Sequence, residues 1–304
     1  MRTLFNNSKY AQRKQMKKET PSENIVRSLV KCCLSISCWD GKVDSPELAH
    51  ELEVAKKAEK GAFDAKVCYL PPHYAKPITV AASQLRTYWD ANTLPWENGG
   101  WKICTAKKYQ ALMDGTVQRK RTFDTAVEDL INNYDDVYAA SKVKVKEAFR
   151  ADKFPSKADL ALKYGVHIYR NSVNAANDVR IEGLSDAVVA DIRMDVNKQY
   201  EDQIQMAVAN IAARLREVAV DIIDRTSKGA EGLKFATLVA KINKTCDSLS
   251  GLNLTDDPRI DELIAKFKNM GKVDSDILRE SENTRSDLKS QAKDILSALD
   301  SFKG

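Results

Sequence analysis

Between residues 185 and 228, apolar positions recur in a strict four-three-four rhythm. Ile204, Val208, Ile211, Leu215, Val218 and Ile222 fall on one helix face, with charged residues between them. Ser185 stands where a helix cap is needed. Lys228-Gly229 supplies a stop, with a cation in the last turn and a glycine free to take positive φ. A second run, from Ala106 to about Lys153, carries Tyr109, Thr116, Phe123, Leu130 and Val137 at heptad spacing, with Met113, Val127, Tyr134, Ser141 and Ala148 as a companion seam. Gly115 is its weak point, and Phe154-Pro155-Ser156 ends it, because proline disfavours helical geometry in the residue before it. Helices of this length extend for roughly 65 Å, so the pattern predicts an antiparallel hairpin or elongated bundle.

Upstream, the period changes. Ile25–Trp39 reads as a strand, with Leu34, Ile36 and Cys38 alternating against Ser35 and Ser37 before the Asp40-Gly41 turn. Ser45-Pro46-Glu47 opens a helix expected to run to about Lys60, and Lys66–Leu70 reads as a short strand. A further helix is expected from Pro77, with Ile78, Ala81, Ala82, Leu85 and Trp89 on one face. Val166–Val173 alternates like a small strand. Shorter helices are expected at Leu233–Leu249, Arg259–Met270 and Ser275–Phe302. The fold class is therefore mainly α: an elongated antiparallel long-helix hairpin or bundle with a small α/β N-terminal element. Residues 1–24 form a basic, flexible arm, 25–104 a small mixed α/β region, and 105–304 the helical bundle with long helices at about 106–153 and 185–228.

Composition agrees with long, uninterrupted elements, since the chain holds only 12 Gly and 8 Pro in 304 residues. A formal net charge of +5 from 48 basic and 43 acidic residues is too mild to imply nucleic-acid binding by the whole chain. The charge is uneven, with Arg2, Lys9, Arg13, Lys14, Lys17 and Lys18 preceding the first acid, Glu19. The six cysteines form no CxxC pair, the basic N-terminus is followed by no apolar segment of signal-peptide type, and no apolar run is long enough to span a bilayer. A cytoplasmic protein with reduced thiols and no membrane contact is expected.

No catalytic, cofactor or metal constellation emerges. Gly99-Gly100 lacks the Gly-Lys-Ser/Thr of a phosphate loop, and none of the three histidines stands at ligand spacing to another His or Cys. His167, in an alternating apolar segment, suits a structural role better than a general base. Asp135-Asp136 lie on one helix about 100° apart and cannot chelate together, while Asp256-Asp257 before Pro258 suit helix capping. Trp96 and Trp101 flank a glycine pair, an arrangement open to a binding lip or to aromatics that pin a loop. The densest basic runs are Gln118-Arg119-Lys120-Arg121 and Lys142-Val143-Lys144-Val145-Lys146, with Lys142 and Lys146 on one helix face. Such a stripe suits single strands, although Asp124, Glu128 and Asp129 interrupt it.

Four segments in order, Leu34–Lys42, Trp96–Trp101, Asp178-Val179-Arg180 and Leu252–Pro258, resemble a group of uncharacterised phage, prophage and bacterial helical proteins classed as a domain of unknown function. The resemblance implies a partner or adaptor in a remodelling system, because such proteins are encoded beside MoxR-type AAA ATPases and proteins with von Willebrand factor A domains. The expectation is a non-enzymatic interaction protein with Trp96, Trp101, Arg180, Asp256 and Asp257 as loop-borne partner contacts. One alternative is a nucleic-acid-binding protein of phage replication or recombination using Arg119, Lys120, Arg121, Lys142, Lys144 and Lys146. Another is a phage structural or assembly component. The seam from Ile204 to Ile222 suits pairing within the chain or with a second copy.

Overall fold

The computed structural model describes residues 21–228 and 234–300. The basic arm expected over residues 1–24 lies outside them apart from residues 21–24, as do Gly229 and Phe302. The first described element is a helix, α1 (Pro21–Arg27), not the start of a strand. Ile25 and Val26 are β-branched and look strand-like in sequence. Pro21 at the helix start, Glu23 in the first turn and the helically spaced burial of Ser22, Glu23 and Val26 decide otherwise. Glu23 also accepts the backbone N–H of Asn177 at 3.2 Å.

The strand proper is β1 (Leu29–Ser37). It sits inside a sheet ordered β4-β5-β1-β6, built from Leu94–Pro95 (β4), Lys102–Thr105 (β5) and Gly165–Ser172 (β6). All pairings are antiparallel, with Leu29 opposite Thr105 and Ser37 opposite Gly165. The expected strand near residue 166 thus exists and joins the N-terminal region, so one sheet spans the expected boundary at 104/105. A separate ribbon pairs β2 (Lys42–Asp44) with β3 (Lys66–Cys68).

Helix α2 (Pro46–Lys56) is capped by Ser45, whose Oγ accepts from Leu48 N. It stops short of Lys60 because Lys57 turns left-handed and the Glu53 carboxylate takes the Gly61 N–H in the following loop. Helix α3 (Pro72–Ala91) starts a turn before Pro77, which is accommodated inside it. The long helix expected over 106–153 is divided into α4 (Ala106–Asn132) and α5 (Tyr134–Val145), followed by two single 3₁₀ turns. Packing overrides helix propensity there. Phe149 and Phe154 turn inward onto Tyr69 and Tyr138, with centroids between 5.2 and 6.2 Å apart. Such aromatic pairs add about 0.5–1.5 kcal/mol each beyond area burial. A short helix, α6 (Lys157–Leu162), precedes β6.

Helix α7 (Asp186–Ser227) matches its expected bounds and is capped by Ser185. Its seam is buried at Ile204, Ile211, Leu215, Val218 and Ile222, with Val208 partly buried. Helix α8 (Phe235–Leu249) runs antiparallel to it, because Arg225 bonds Thr237 while Glu217 pairs with Lys241. Helix α9 (Pro258–Met270) folds back on α8 in the same sense, with Asn243 donating to Gly271 O and Lys268 near Asp247. The single helix expected over 275–302 is two, α10 (Ser275–Glu280) and α11 (Glu282–Asp300). Ser281 breaks it by going extended and taking the Thr284 N–H on its Oγ.

The main partners of α7 are α11 and α8, whereas α4 pairs chiefly with α3. The seam is therefore satisfied within the chain. One core joins α7–α11 to the sheet, and a second gathers α3, α4, α5 and the aromatic cluster. Among the described residues no helix is long and apolar enough to cross a membrane.

Candidate functional site

The tryptophan loop is fastened down. Trp96 N donates to Trp101 O at 3.1 Å, and Glu97, Gly99 and Gly100 take positive φ to close the turn. Trp96 is 1 % exposed with its ring 5.9 Å from Tyr200, and Glu97 N donates to the Gln203 side chain on α7. Trp101 is half-buried beneath Lys31, whose Nζ lies 4.8 Å from the ring centroid and 2.6 Å from Glu97. Trp96 thus serves as packing mass, while Glu97, Asn98, Gly99 and Gly100 are exposed.

The other loop candidates lie elsewhere. Arg180 is exposed in the lead-in to α7. Asp257 caps α9: its carboxylate accepts the Arg259 N–H and is gripped by the Arg259 guanidinium, with Nη2 at 2.6 Å. That bond holds the Asp257 carboxyl below the usual carboxylate range. Asp256, at φ 48, points out toward Lys107 at 3.3 Å. These five residues are not gathered into one site.

The basic stripe is dispersed as well. Lys120 pairs with Asp124 on its own helix, and Arg121 is exposed. Lys142 is exposed, but Lys144 is spent on Leu70 O at 2.9 Å. Lys146 does not share a helix face with Lys142, because α5 ends at Val145 and Lys146 has φ 54. His167 lies on the exposed face of edge strand β6. The thiols are all free, with Cys32, Cys104 and Cys246 buried; burial pushes Cys246 up to about 11.

Arg119 goes elsewhere. It turns toward α3, where its guanidinium carbon sits 3.8 Å from the Tyr88 ring centroid and Nη1 donates to Gly115 O at 2.9 Å. Tyr88 is itself fixed, its hydroxyl donating to Ala111 O at 2.9 Å. Both residues line an open cleft of about 620 Å³ between α3, α4 and α8. Opposite them stand Lys244, Asp247 and Ser248 of α8, and α3 adds Ser83, Gln84 and Thr87. Arg214 of α7 donates to the carbonyls of Asp90, Ala91 and Thr93 and so caps the end of α3, whose Ala91 lines the cleft. Tyr88 and Lys244 carry no signal in sequence. Gly115 does, since a glycine inside a helix marks a close approach of another element.

Comparison with family models, with curated proteins and with solved structures returned no match.

Proposed function

We propose that the chain is a non-enzymatic interaction protein of the cytoplasm: an elongated helical scaffold acting as an adaptor. Its partners, on the resemblance above, are a MoxR-type AAA ATPase and a protein with a von Willebrand factor A domain in a phage-encoded system. The observation that supports this reading is the first part of α7. That helix is 42 residues long, about 63 Å, yet it buries none of its residues fully between Val189 and Ile204. The exposed side chains of that stretch are mostly charged (Asp191, Asp195, Lys198, Glu201 and Asp202), and large apolar side chains stand open within it and in the segment just before it. Ile181, Leu184 and Val188 are 44 %, 43 % and 45 % exposed, and Met194 is 65 % exposed.

Exposed apolar side chains at the start of a long helix and in its lead-in favour a protein partner. Glu182, Asp186, Asp191 and Asp195 are exposed in the same stretch, with Arg180 exposed and Arg193 partly buried near them in the chain. Arg193 is committed to the Val179 carbonyl, which fixes the lead-in against the helix. The dispersal of the basic stripe weighs against nucleic acid as the principal partner. The test is affinity capture of the tagged full chain from its native cells, with and without nuclease. Recovery of the ATPase or the von Willebrand A protein irrespective of nuclease supports the reading, and partners that vanish with nuclease overturn it.

A further inference from the structure

We propose that the cleft between α3, α4 and α8 is a binding site for a small phosphorylated ligand, of nucleotide or sugar-phosphate size, whose phosphate is held by Arg119 and Lys244. Ligand pockets typically occupy about 300–1,000 Å³, and this cleft, at about 620 Å³, falls inside that range.

The charge in the cleft is arranged for an anion. Arg119 has a ring beneath it and one N–H anchored on Gly115 O, so the guanidinium plane is set before any ligand arrives. Arginine offers five N–H donors in a rigid fork that matches phosphate geometry, and the anchor on Gly115 takes one of them. Among the described residues, neither Arg119 nor Lys244 has a carboxylate within ion-pair distance. The one acid in the lining, Asp247, lies 3.7 Å from Lys268, and its backbone carbonyl accepts Lys108 Nζ at 2.7 Å. Two cations without an ion-pair partner therefore line the cleft beside a single acid.

The rest of the lining points to the body of the ligand. Asn92 and Ser248 spend their side chains on backbone carbonyls. Ser83, Gln84 and Thr87 stand exposed along α3, where they can meet ligand hydroxyls, and Ala91 supplies an apolar wall. A nucleic-acid strand fits less well. Lys120 and Arg121, next to Arg119 in the chain, do not line the cleft, so only one residue of that basic run reaches it and no continuous basic track is formed.

The test is calorimetric titration of the full chain at low ionic strength with inorganic phosphate, AMP and glucose 6-phosphate. Adenosine, glucose and a single-stranded oligonucleotide serve as comparisons. The proposal expects saturable binding of at least one phosphorylated compound, and binding of its uncharged counterpart weaker by about tenfold or more. A preference for AMP or for glucose 6-phosphate identifies which body the α3 side chains select. Arg119→Met and Lys244→Gln should each weaken that binding by roughly tenfold. Lys244 is exposed, so its variant keeps the fold even if the Arg119 variant does not. No binding of any phosphate compound up to millimolar concentration would overturn the proposal. So would unchanged affinity in Lys244→Gln, or an oligonucleotide bound far more tightly than every mononucleotide.

Discussion

The hydroxyl of Tyr88 sits in the notch that Gly115 leaves in α4. A Cβ built at Gly115 would lie 2.1 Å from that oxygen and 2.3 Å from the ring carbon bearing it. Glycine inside a helix costs about 1 kcal/mol relative to alanine, and here the cost is offset by the close approach it permits. Tyr88 can then donate to Ala111 O and carry Arg119 on its ring. Gly115→Ala should accordingly destabilise the chain by roughly 1–3 kcal/mol despite its better helix propensity. Urea denaturation of the single variant and of Gly115→Ala with Tyr88→Ala checks this. Once the ring is gone, the alanine at 115 should become neutral or stabilising, and an additive loss would contradict the account.

Arg214 is the next prediction. One side chain of α7 satisfies carbonyls at residues 90, 91 and 93, the first two of them groups that a helix C-terminus otherwise leaves without partners. Charged hydrogen bonds contribute about 1.5–3 kcal/mol, so Arg214→Met should cost roughly 2–4 kcal/mol in chemical denaturation. Arg214→Lys, which cannot reach three acceptors with a planar fork, should recover only part of it.

How much of this was legible follows from where each element finds its partners. The α7 seam could be read because Ile204 to Ile222 are apolar against a charged background, so period alone locates the helix. The end of α5 at Val145 could not be read. It depends on Phe149 and Phe154 meeting Tyr69, far away in the chain, and no local signal at Lys146 announces it. The same holds for α1, where the β-branched pair Ile25-Val26 outweighs the helix-opening Pro21 to the eye but not in the fold. In the cleft, Arg119 was visible only as part of a basic run. Its ring partner lies across a helix pair, and the one sequence trace of that contact is Gly115.

Phe154 is the hub of the second core. Its ring meets Trp39, Tyr69, Tyr134, Tyr138 and Phe149 at centroid distances of 5.3 to 6.2 Å. Phe154→Ala should cost about 3–5 kcal/mol. Urea denaturation followed by circular dichroism checks this, and a cost below about 1 kcal/mol would contradict the hub role.

Asp257 gives a pH-dependent prediction. Its folded pKa is depressed by the Arg259 side chain, so its contribution is fully present above the unfolded value of about 3.9. The contribution is lost as pH falls through the lower folded value. Asp257→Asn keeps a good cap but drops the charge. The stability gap between wild type and this variant should therefore be widest near neutral pH and close toward pH 3. Asp257→Ala should cost about 1 kcal/mol more than Asn at neutral pH through loss of the cap. Denaturation curves across that range decide it.

The central claim is that the open part of α7 receives a protein partner, and the most direct measurement compares two baits. The full chain and its Val188→Asp, Met194→Asp variant are each used to capture partners from native cells after nuclease treatment, with circular dichroism confirming that both are folded. Both positions are exposed, so the variant should keep its structure. The account predicts that the wild-type chain brings down the AAA ATPase or the von Willebrand A protein and that the variant loses it. Equal recovery by both baits, or recovery by neither, would contradict it.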